Sequence, residues 1–278
     1  MEKTERHLSV SQIEMYQHCG ERWRLRYVEK ISEPSSPPLI RGRAVHAAVA
    51  DDLRSKRDSG ALLHSDDLDA IVSEQVDGGF TQEVKLEPEE AARGLSRVKG
   101  ETKDVALRLS RLHHAGPARV IKPASVEEKI RVRVEGLPPI DAVLDIAETD
   151  HVIRDTKTST RTPEESAAET SLQLQQYALT YIAKQKRPPA AMVLDNLIYY
   201  KPSKKNPDGD QKYIPLTTHY SPIKAQAYLD RVVAVNAGIV AGIAIPADRA
   251  SWKCSPRFCG FFGTTCKFTR GMLAAEAR

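Results

Sequence analysis

The sequence predicts an α/β fold, in which a strand-built core is wrapped by helices, preceded by a helical section and followed by a cysteine-clustered tail. Three observations predict it. Helical periodicity dominates to about residue 115. Alternating β-branched residues begin near residue 124. Three of the four cysteines then gather beyond residue 250, where periodicity has ended. On this pattern the chain divides into a helical N-terminal section (1–120), an α/β core (121–243) and a C-terminal tail (244–278) that packs back on the N-terminal helix.

The elements follow in order. Residues 9–29 form an amphipathic helix, capped by Ser9 or Ser11, with Ile13, Tyr16, Trp23 and Tyr27 on its apolar side. The run from Glu33 to Pro38 breaks it, and a second helix covers Gly42 to Arg54. Residues 67–80 and 88–115 are helical, the latter ending at Gly116-Pro117. Ala124–Val134 alternates as a strand with Val126, Ile130, Val132 and Val134 in one set. Ile140–Ala147 and His151–Thr158 are two further strands around a turn at 148–150. A helix follows over Glu164–Lys184, then strands Val193–Tyr200 and Lys212–Leu216, then a helix over 221–243.

Composition narrows the classes. With 41% hydrophobic and 28% charged residues, the chain is globular rather than disordered. No apolar run reaches the roughly 20 residues that span a bilayer, and Met1–Arg6 has no apolar signal region behind it. These features predict a cytoplasmic protein with no membrane partner. A net charge of +4 is too small to indicate nucleic acid, but its distribution is uneven. Residues 251–270 hold Lys253, Arg257, Lys267 and Arg270 with no acid, and Lys201, Lys204 and Lys205 form a second basic group. No P-loop pattern is present.

The strongest local signal is Val143-Leu144-Asp145 followed by Asp155-Thr156-Lys157. Asp155 and Lys157 are two apart, so on a strand they share a face. A turn at 148–150 sets Asp145 opposite Ile153 and Val143 opposite Asp155. The two carboxylates are then diagonal neighbours, about 7–8 Å apart at the backbone. A one-residue slip would separate them onto opposite faces. Two carboxylates suit a hard cation that keeps water and phosphate ligands, and a lysine can orient the attacking water. Asp141 has the same parity as Asp145 and is a second candidate for the first acid.

This pattern resembles the PD-(D/E)XK nuclease motif, with Asp155 in place of the usual Glu and Lys157-Thr158-Ser159 as in the RecB-like branch; Ala142 replaces a common glycine. The resemblance implies a restriction-endonuclease-like core with a mixed central sheet flanked by helices. It makes Asp145, Asp155 and Lys157 catalytic, and His46, Asp145 and Asp155 the ligands of Mg²⁺ or Mn²⁺. His46 enters through Arg41-Gly42-Arg43-Ala44-Val45-His46, which is similar to the family segment where a glycine opens a helix. Gln173 and Tyr177, at i and i+4, resemble the branch's Gln-x-x-x-Tyr pair that positions substrate, although Gln175 and Gln176 stand close by. Glu127 resembles the acid on the strand before the first aspartate and is placed beside the substrate.

Clustered cysteines in a reducing compartment bind metal more readily than they form disulfides. Cys254, Cys259 and Cys266 with Cys19 supply four thiolates, the number for tetrahedral zinc or a four-iron cluster. Their split arrangement is similar to RecB-like nucleases with a 4Fe–4S cluster, as are Ser9-Val10-Ser11, Tyr16 and Cys19 at the start; Gly20 replaces a proline. A metal there would staple the two ends of the chain together.

The resemblance implies a DNA exonuclease acting on single strands or free duplex ends, in recombination, repair, phage DNA processing or CRISPR adaptation, with a protein partner from such a pathway. The alternatives are a nuclease-like DNA-binding module without catalysis, or a zinc-stabilised interaction protein.

Overall fold

A computed structural model describes residues 5–204 and 209–272. The expectations placed on Met1–Thr4 and on Lys205 fall outside the described residues. In chain order the elements are α1 (Val10–His18), α2 (Gly20–Trp23), a π-helical turn (Arg24–Val28), α3 (Pro37–Ser59), α4 (Ser65–Gly79), α5 (Pro88–Arg93), α6 (Leu95–Ala115), α7 (Pro117–Val120), β1 (Pro123–Val132), β2 (Ile140–Glu148), β3 (Val152–Ser159), α8 (Ala167–Thr170), α9 (Leu172–Gln185), β4 (Ala191–Tyr200), β5 (Asp210–Thr218) and α10 (Pro222–Val240).

The strands form one mixed sheet in the order β1-β2-β3-β4-β5. β2 and β3 are antiparallel, β3 and β4 parallel, and β4 and β5 antiparallel. The parallel step requires a crossover, and α8 and α9 supply it. This is the α/β core with a mixed, helix-flanked sheet that the sequence predicts.

Several boundaries differ from expectation, each for a local reason. Pro37 and Pro38 were read as part of a break, yet they occupy the first positions of α3, where a missing N–H costs nothing. Gly42 therefore lies inside α3 rather than opening it. The 9–29 helix is interrupted at Cys19, which is extended at φ −164° and caps both flanking helices. The 88–115 helix is split at Gly94, whose φ of 82° suits glycine. The 164–184 helix is split at Ser171, whose hydroxyl caps α9 by accepting from Leu174 N.

By contacts the chain forms two compact units. A sheet unit comprises Ser35–Arg131 with Ala142–Ala225. A cysteine unit comprises Met1–Pro34, Val132–Asp141 and Gln226–Arg278.

In the sheet unit, α3, α4 and α6 bring Leu53, Leu68 and Leu109 into one buried cluster with Val126, Ile146 and Leu197 of the strands. Burying such aliphatic side chains contributes about 1.5–3 kcal/mol each relative to exposure. The β2–β3 hairpin positions the acids. Its pairing is Ile146↔Arg154 and Ala147↔Ile153. The expected register, Asp145 opposite Ile153, is therefore off by two residues. The loop lies at 149–151, not 148–150: His151 N donates to Glu148 O at 3.0 Å, and His151 takes the left-handed conformation at φ 67°. That is the three-residue hairpin closure by a turn and an αL residue. A shift of two preserves the face, so Asp145 continues opposite Asp155 itself and the acids remain on one side.

In the cysteine unit, Ser9 is the N-cap of α1 and accepts from Gln12 N. Gly20 N donates to Ile245 O at 2.7 Å, and a Cβ at Gly20 would stand 2.8 Å from Ile245 N. Any side chain, or a proline lacking the N–H, would break this approach, which accounts for glycine at the position. Tyr16 OH donates to Ile243 O at 2.5 Å. Leu25, Phe261 and Cys266 form a small buried cluster with Ile31 and Cys259 beside it.

Candidate active site and cysteine centre

β2 and β3 deliver Asp145, Asp155 and Lys157, and α9 delivers Gln173 and Tyr177 one turn apart. These five form an open hydrogen-bonded ring that runs from Asp155 round to Asp145. Lys157 Nζ lies 3.0 Å from Asp155 Oδ1 and 2.7 Å from Oδ2. It donates to Gln173 Oε1 at 2.6 Å, Gln173 Nε2 donates to Tyr177 OH at 2.7 Å, and Tyr177 OH donates to Asp145 Oδ1 at 2.7 Å. Thr156 N donates to Asp145 Oδ2 at 3.0 Å. All three bonds from Lys157 through α9 run in one sense, from ammonium to carboxylate. A flipped Gln173 would set its amide protons against the Lys157 ammonium, so one orientation is favoured. Of the neighbouring glutamines, Gln173 is the one in this ring.

His46, on α3, places Nδ1 3.4 Å from Asp145 Oδ2. Glu127, on β1, also reaches the site. Each of His46, Glu127 and Asp145 offers a ligand atom within 4.8 Å of the others, the one such group among the described residues. Glu127 gets there through a backbone irregularity: its φ is 51°, in the left-handed region rather than the extended one of a regular strand. A residue at positive φ breaks alternation and re-aims a side chain, as bulges near active sites do. Glu127 was expected beside the substrate; it stands in the set of potential metal ligands. Asp141 does not belong to that set.

Electrostatics follow from burial. Asp155 is fully buried, and its carboxyl is pushed up to about 7, mainly by desolvation and also by Asp145, against the opposing pull of Lys157. Glu127 is raised by burial and by Asp145. Tyr177 is raised far above the ordinary phenol range by burial and by both aspartates, so it is a fixed donor. A buried acid in this state is short of positive charge, and a cation held by Asp145, Glu127 and His46 would supply it. The donor set of carboxylates plus one imidazole fits a divalent ion of the Mg²⁺ or Mn²⁺ kind.

The opposite face of β3 carries a feature the motif search missed. Arg154 donates from Nε to Glu148 Oε1 at 2.6 Å and from Nη1 to Asp195 Oδ1 at 3.0 Å. Tyr213 OH donates to Asp195 Oδ1 at 2.6 Å, and Lys122 N to Glu148 Oε2 at 2.8 Å. The network joins β2, β3, β4 and β5 behind the acids. The available signal was Asp195, an acid within the apolar run Met192–Ile198 of a central strand. His113 is also fully buried, with no hydrogen-bond partner for either ring nitrogen among the described residues, and burial with Arg154 nearby lowers it to about 3.

The four cysteines come together in the cysteine unit. All are free and line one cavity of about 420 Å³ with Arg22, Trp252 and Phe258. Cys19 Sγ accepts from Arg22 N and Ala247 N, each at 3.3 Å. Arg22 is clamped by Glu33 through Nε at 2.9 Å and Nη2 at 2.7 Å. Burial raises the Cys254 and Cys259 thiols, and the Arg22 charge opposes this at Cys259. Four half-buried to buried thiols, with N–H donors on Cys19 and the Arg22 charge beside Cys259, fit a group that binds thiolates. No three of the sulfurs lie within 4.8 Å of one another. Tetrahedral zinc draws its thiolates to about 3.8 Å, from Zn–S of about 2.3 Å. A cubane cluster holds its thiolates at wider corners.

The mixed sheet thus carries Asp145, Asp155 and Lys157 together at one place. The family model of the PD-(D/E)XK nuclease superfamily matches residues 7–267, and the chain belongs to that superfamily. Among solved structures, one similar chain is a presumed exonuclease from Eubacterium rectale, at 10% identity and a TM-score of 0.55, covering 89% of this chain and 86% of that one. Another is SSO0001, at 13% identity and a TM-score of 0.34, covering 92% and 94%. No curated protein sequence matches. Among the described residues no helix is long and apolar enough to cross a membrane.

Proposed function

We propose that the protein is a Mg²⁺- or Mn²⁺-dependent DNA exonuclease acting on single strands or duplex ends. The observation that supports this most is the hydrogen-bonded run from Asp155 through Lys157, Gln173 and Tyr177 to Asp145, with His46 and Glu127 converging on Asp145. His46, Asp145 and Glu127 would hold the cation beside buried Asp155, the further ligand that the resemblance implies, and the cation would supply Lewis-acid activation of the phosphate and of water. Lys157 would orient the water and stabilise developing charge. Gln173 holds the Lys157 ammonium beside Asp155, and Tyr177 holds the Asp145 carboxylate in one rotamer. The exonuclease mode is drawn from the RecB-like resemblance, and the name of the Eubacterium rectale neighbour agrees with it.

In this reading the four cysteines hold a 4Fe–4S cluster rather than zinc, a choice drawn from the RecB-like resemblance, with N–H donors already at Cys19. In this reading the 121–243 segment carries most of the chemistry, residues 1–120 contribute His46, and the 244–278 tail joins Cys19 in holding the cluster.

Digestion of 5′- and 3′-labelled single strands with Mn²⁺, with free and blocked ends, tests the activity. Stepwise release from free ends, abolished in Lys157→Ala, is expected. Cutting of blocked or circular strands would overturn the exonuclease mode. No cleavage with any divalent ion would overturn the enzyme reading in favour of a DNA-binding module.

A further inference from the structure

The tail that carries three of the cysteines also carries aromatic rings that burial does not explain. Trp252 is 61% exposed, and Phe258 and Phe268 are each 42% exposed, whereas Phe261 and Phe262 of the same segment are buried. Trp252 and Phe258 meet edge to face at 4.5 Å between centroids. Each exposed ring has a cation over it: Lys253 at 5.3 Å from Trp252, Arg257 at 5.3 Å from Phe258 and Lys267 at 5.0 Å from Phe268. Residues 251–270 contain no acid, and Arg257, Lys267 and Arg270 are exposed. Leaving a tryptophan in water forgoes a large burial contribution, so a ring kept exposed beside cations suits an occupant with flat faces and negative charge.

We propose that Trp252, Phe258 and Phe268, with Arg257 and Lys267, form a platform that binds single-stranded DNA by stacking its bases and pairing its phosphates. Unpaired bases offer π faces to the rings, and the backbone offers charge to the guanidinium and ammonium groups; sequence-tolerant strand binding uses this combination. A duplex hides its base faces and would gain the charge interactions only. An acidic peptide would satisfy the cations but leave the three rings without flat partners. Lys253 also faces His18 Nε2, so the phosphate contacts are assigned to Arg257 and Lys267. The inference rests on DNA being the substrate and adds a second contact area outside the carboxylate centre.

Binding of a short fluorescein-labelled mixed-sequence single strand to the full chain, read by anisotropy without divalent cation, tests it. Trp252 and Phe258 also line the cysteine cavity, so the variants keep apolar bulk. Trp252→Leu with Phe258→Leu should weaken binding by about tenfold or more, while Trp252→Tyr with Phe258→Tyr retains it. Arg257→Gln with Lys267→Gln should make the salt slope shallower by about 1.4, at about 0.7 per phosphate contact. Iron or zinc content and visible absorbance, measured on each variant, report the cysteine centre. The proposal is overturned if the leucine variant binds as wild type, if binding falls only where the centre is lost, or if the patch captures anionic vesicles while strand binding is unchanged. Failure of the nuclease reading looks different: cleavage is absent with every ion, yet ring-dependent strand binding persists.

Discussion

Tyr177 donates its phenolic proton to Asp145 Oδ1 at 2.7 Å, while the backbone N–H of Thr156 serves Oδ2 at 3.0 Å. Both oxygens of the first acid are thus fixed before any cation arrives, one by a helix and one by the neighbouring strand. Tyr177→Phe removes one restraint and leaves the backbone bond. We expect k_cat to fall by about one to two orders of magnitude, as when ligand-supporting partners are removed, with a weakened Mn²⁺ dependence in titrations of activity. Lys157→Ala should abolish cleavage, and Gln173→Ala should resemble Tyr177→Phe. Unchanged activity in both ring variants would show that the ring is not needed.

The raised Asp155 carboxyl predicts a pH dependence of stability in the cation-free protein. The folded state keeps this proton up to about pH 7, whereas the unfolded chain releases it near the ordinary carboxylate value. Between those limits the native state binds the extra proton, so this contribution is full at low pH and is lost as pH rises towards 7. Asp155→Asn should therefore raise the Tm most at pH 8, flatten its dependence on pH, and eliminate activity. Mn²⁺ should raise the wild-type Tm more at pH 8 than at pH 5. Calorimetry across pH with and without Mn²⁺ measures both.

His113 predicts the opposite slope. Its lowered value keeps it neutral when folded, while the unfolded chain protonates it near 6.5. Its contribution is full above that value and is lost as pH falls towards 3. His113→Leu removes two buried nitrogens without partners and should make stability less sensitive to acid below pH 6. A denaturation series from pH 7 to pH 4, in parallel with wild type, decides it; an unchanged acid slope would locate the loss elsewhere.

Arg154→Met strands Glu148 and Asp195 as unpaired buried acids and should cost about 3–5 kcal/mol in urea unfolding. Adding Glu148→Gln and Asp195→Asn should recover most of that cost, because no unpaired charge is then left behind. Failure of the triple variant to recover would show that packing, not charge, is what Arg154 contributes.

Glu127→Gly separates strain from chemistry. At φ 51° a glutamate is held in a conformation that costs about 1–2 kcal/mol for a side chain with a Cβ. Glycine relieves this and loses the carboxylate. Stability should hold or rise slightly, while the Mn²⁺ concentration for half-maximal activity increases at least tenfold.

The sheet, the helices and the acids were legible in the sequence because each rests on a short-range signal: alternation for β2 and β3, helical spacing for Gln173 and Tyr177, and two-residue parity for Asp155 and Lys157. The hairpin register was not legible to the residue, because Glu148-Thr149-Asp150-His151 contains neither glycine nor an Asn-Gly pair to fix the loop. His151 adopts the left-handed conformation instead, with its ring 2.7 Å from Tyr181 OH. Glu127 was visible as an acid but not as a neighbour of His46 and Asp145, since strict alternation does not anticipate its positive φ. The Arg154 network was hidden because its partners are far apart in sequence and only the sheet order joins them. The α3 start was missed because a proline pair marks a helix entrance as readily as a break.

The loop at 149–151 makes the catalytic pair sensitive to odd and even counts rather than to length. Lengthening that connection by one residue while keeping the three-residue closure would slip β3 by one, turn Asp155 and Lys157 to the opposite face of the sheet and bring Arg154 and Thr156 round in their place. Lengthening it by two could be absorbed by a simple slide, as the difference between the expected and observed pairing already illustrates. Natural variation at this tip should accordingly come in pairs, and a library of one- and two-residue insertions there would show activity alternating with insert parity while the fold itself survives both.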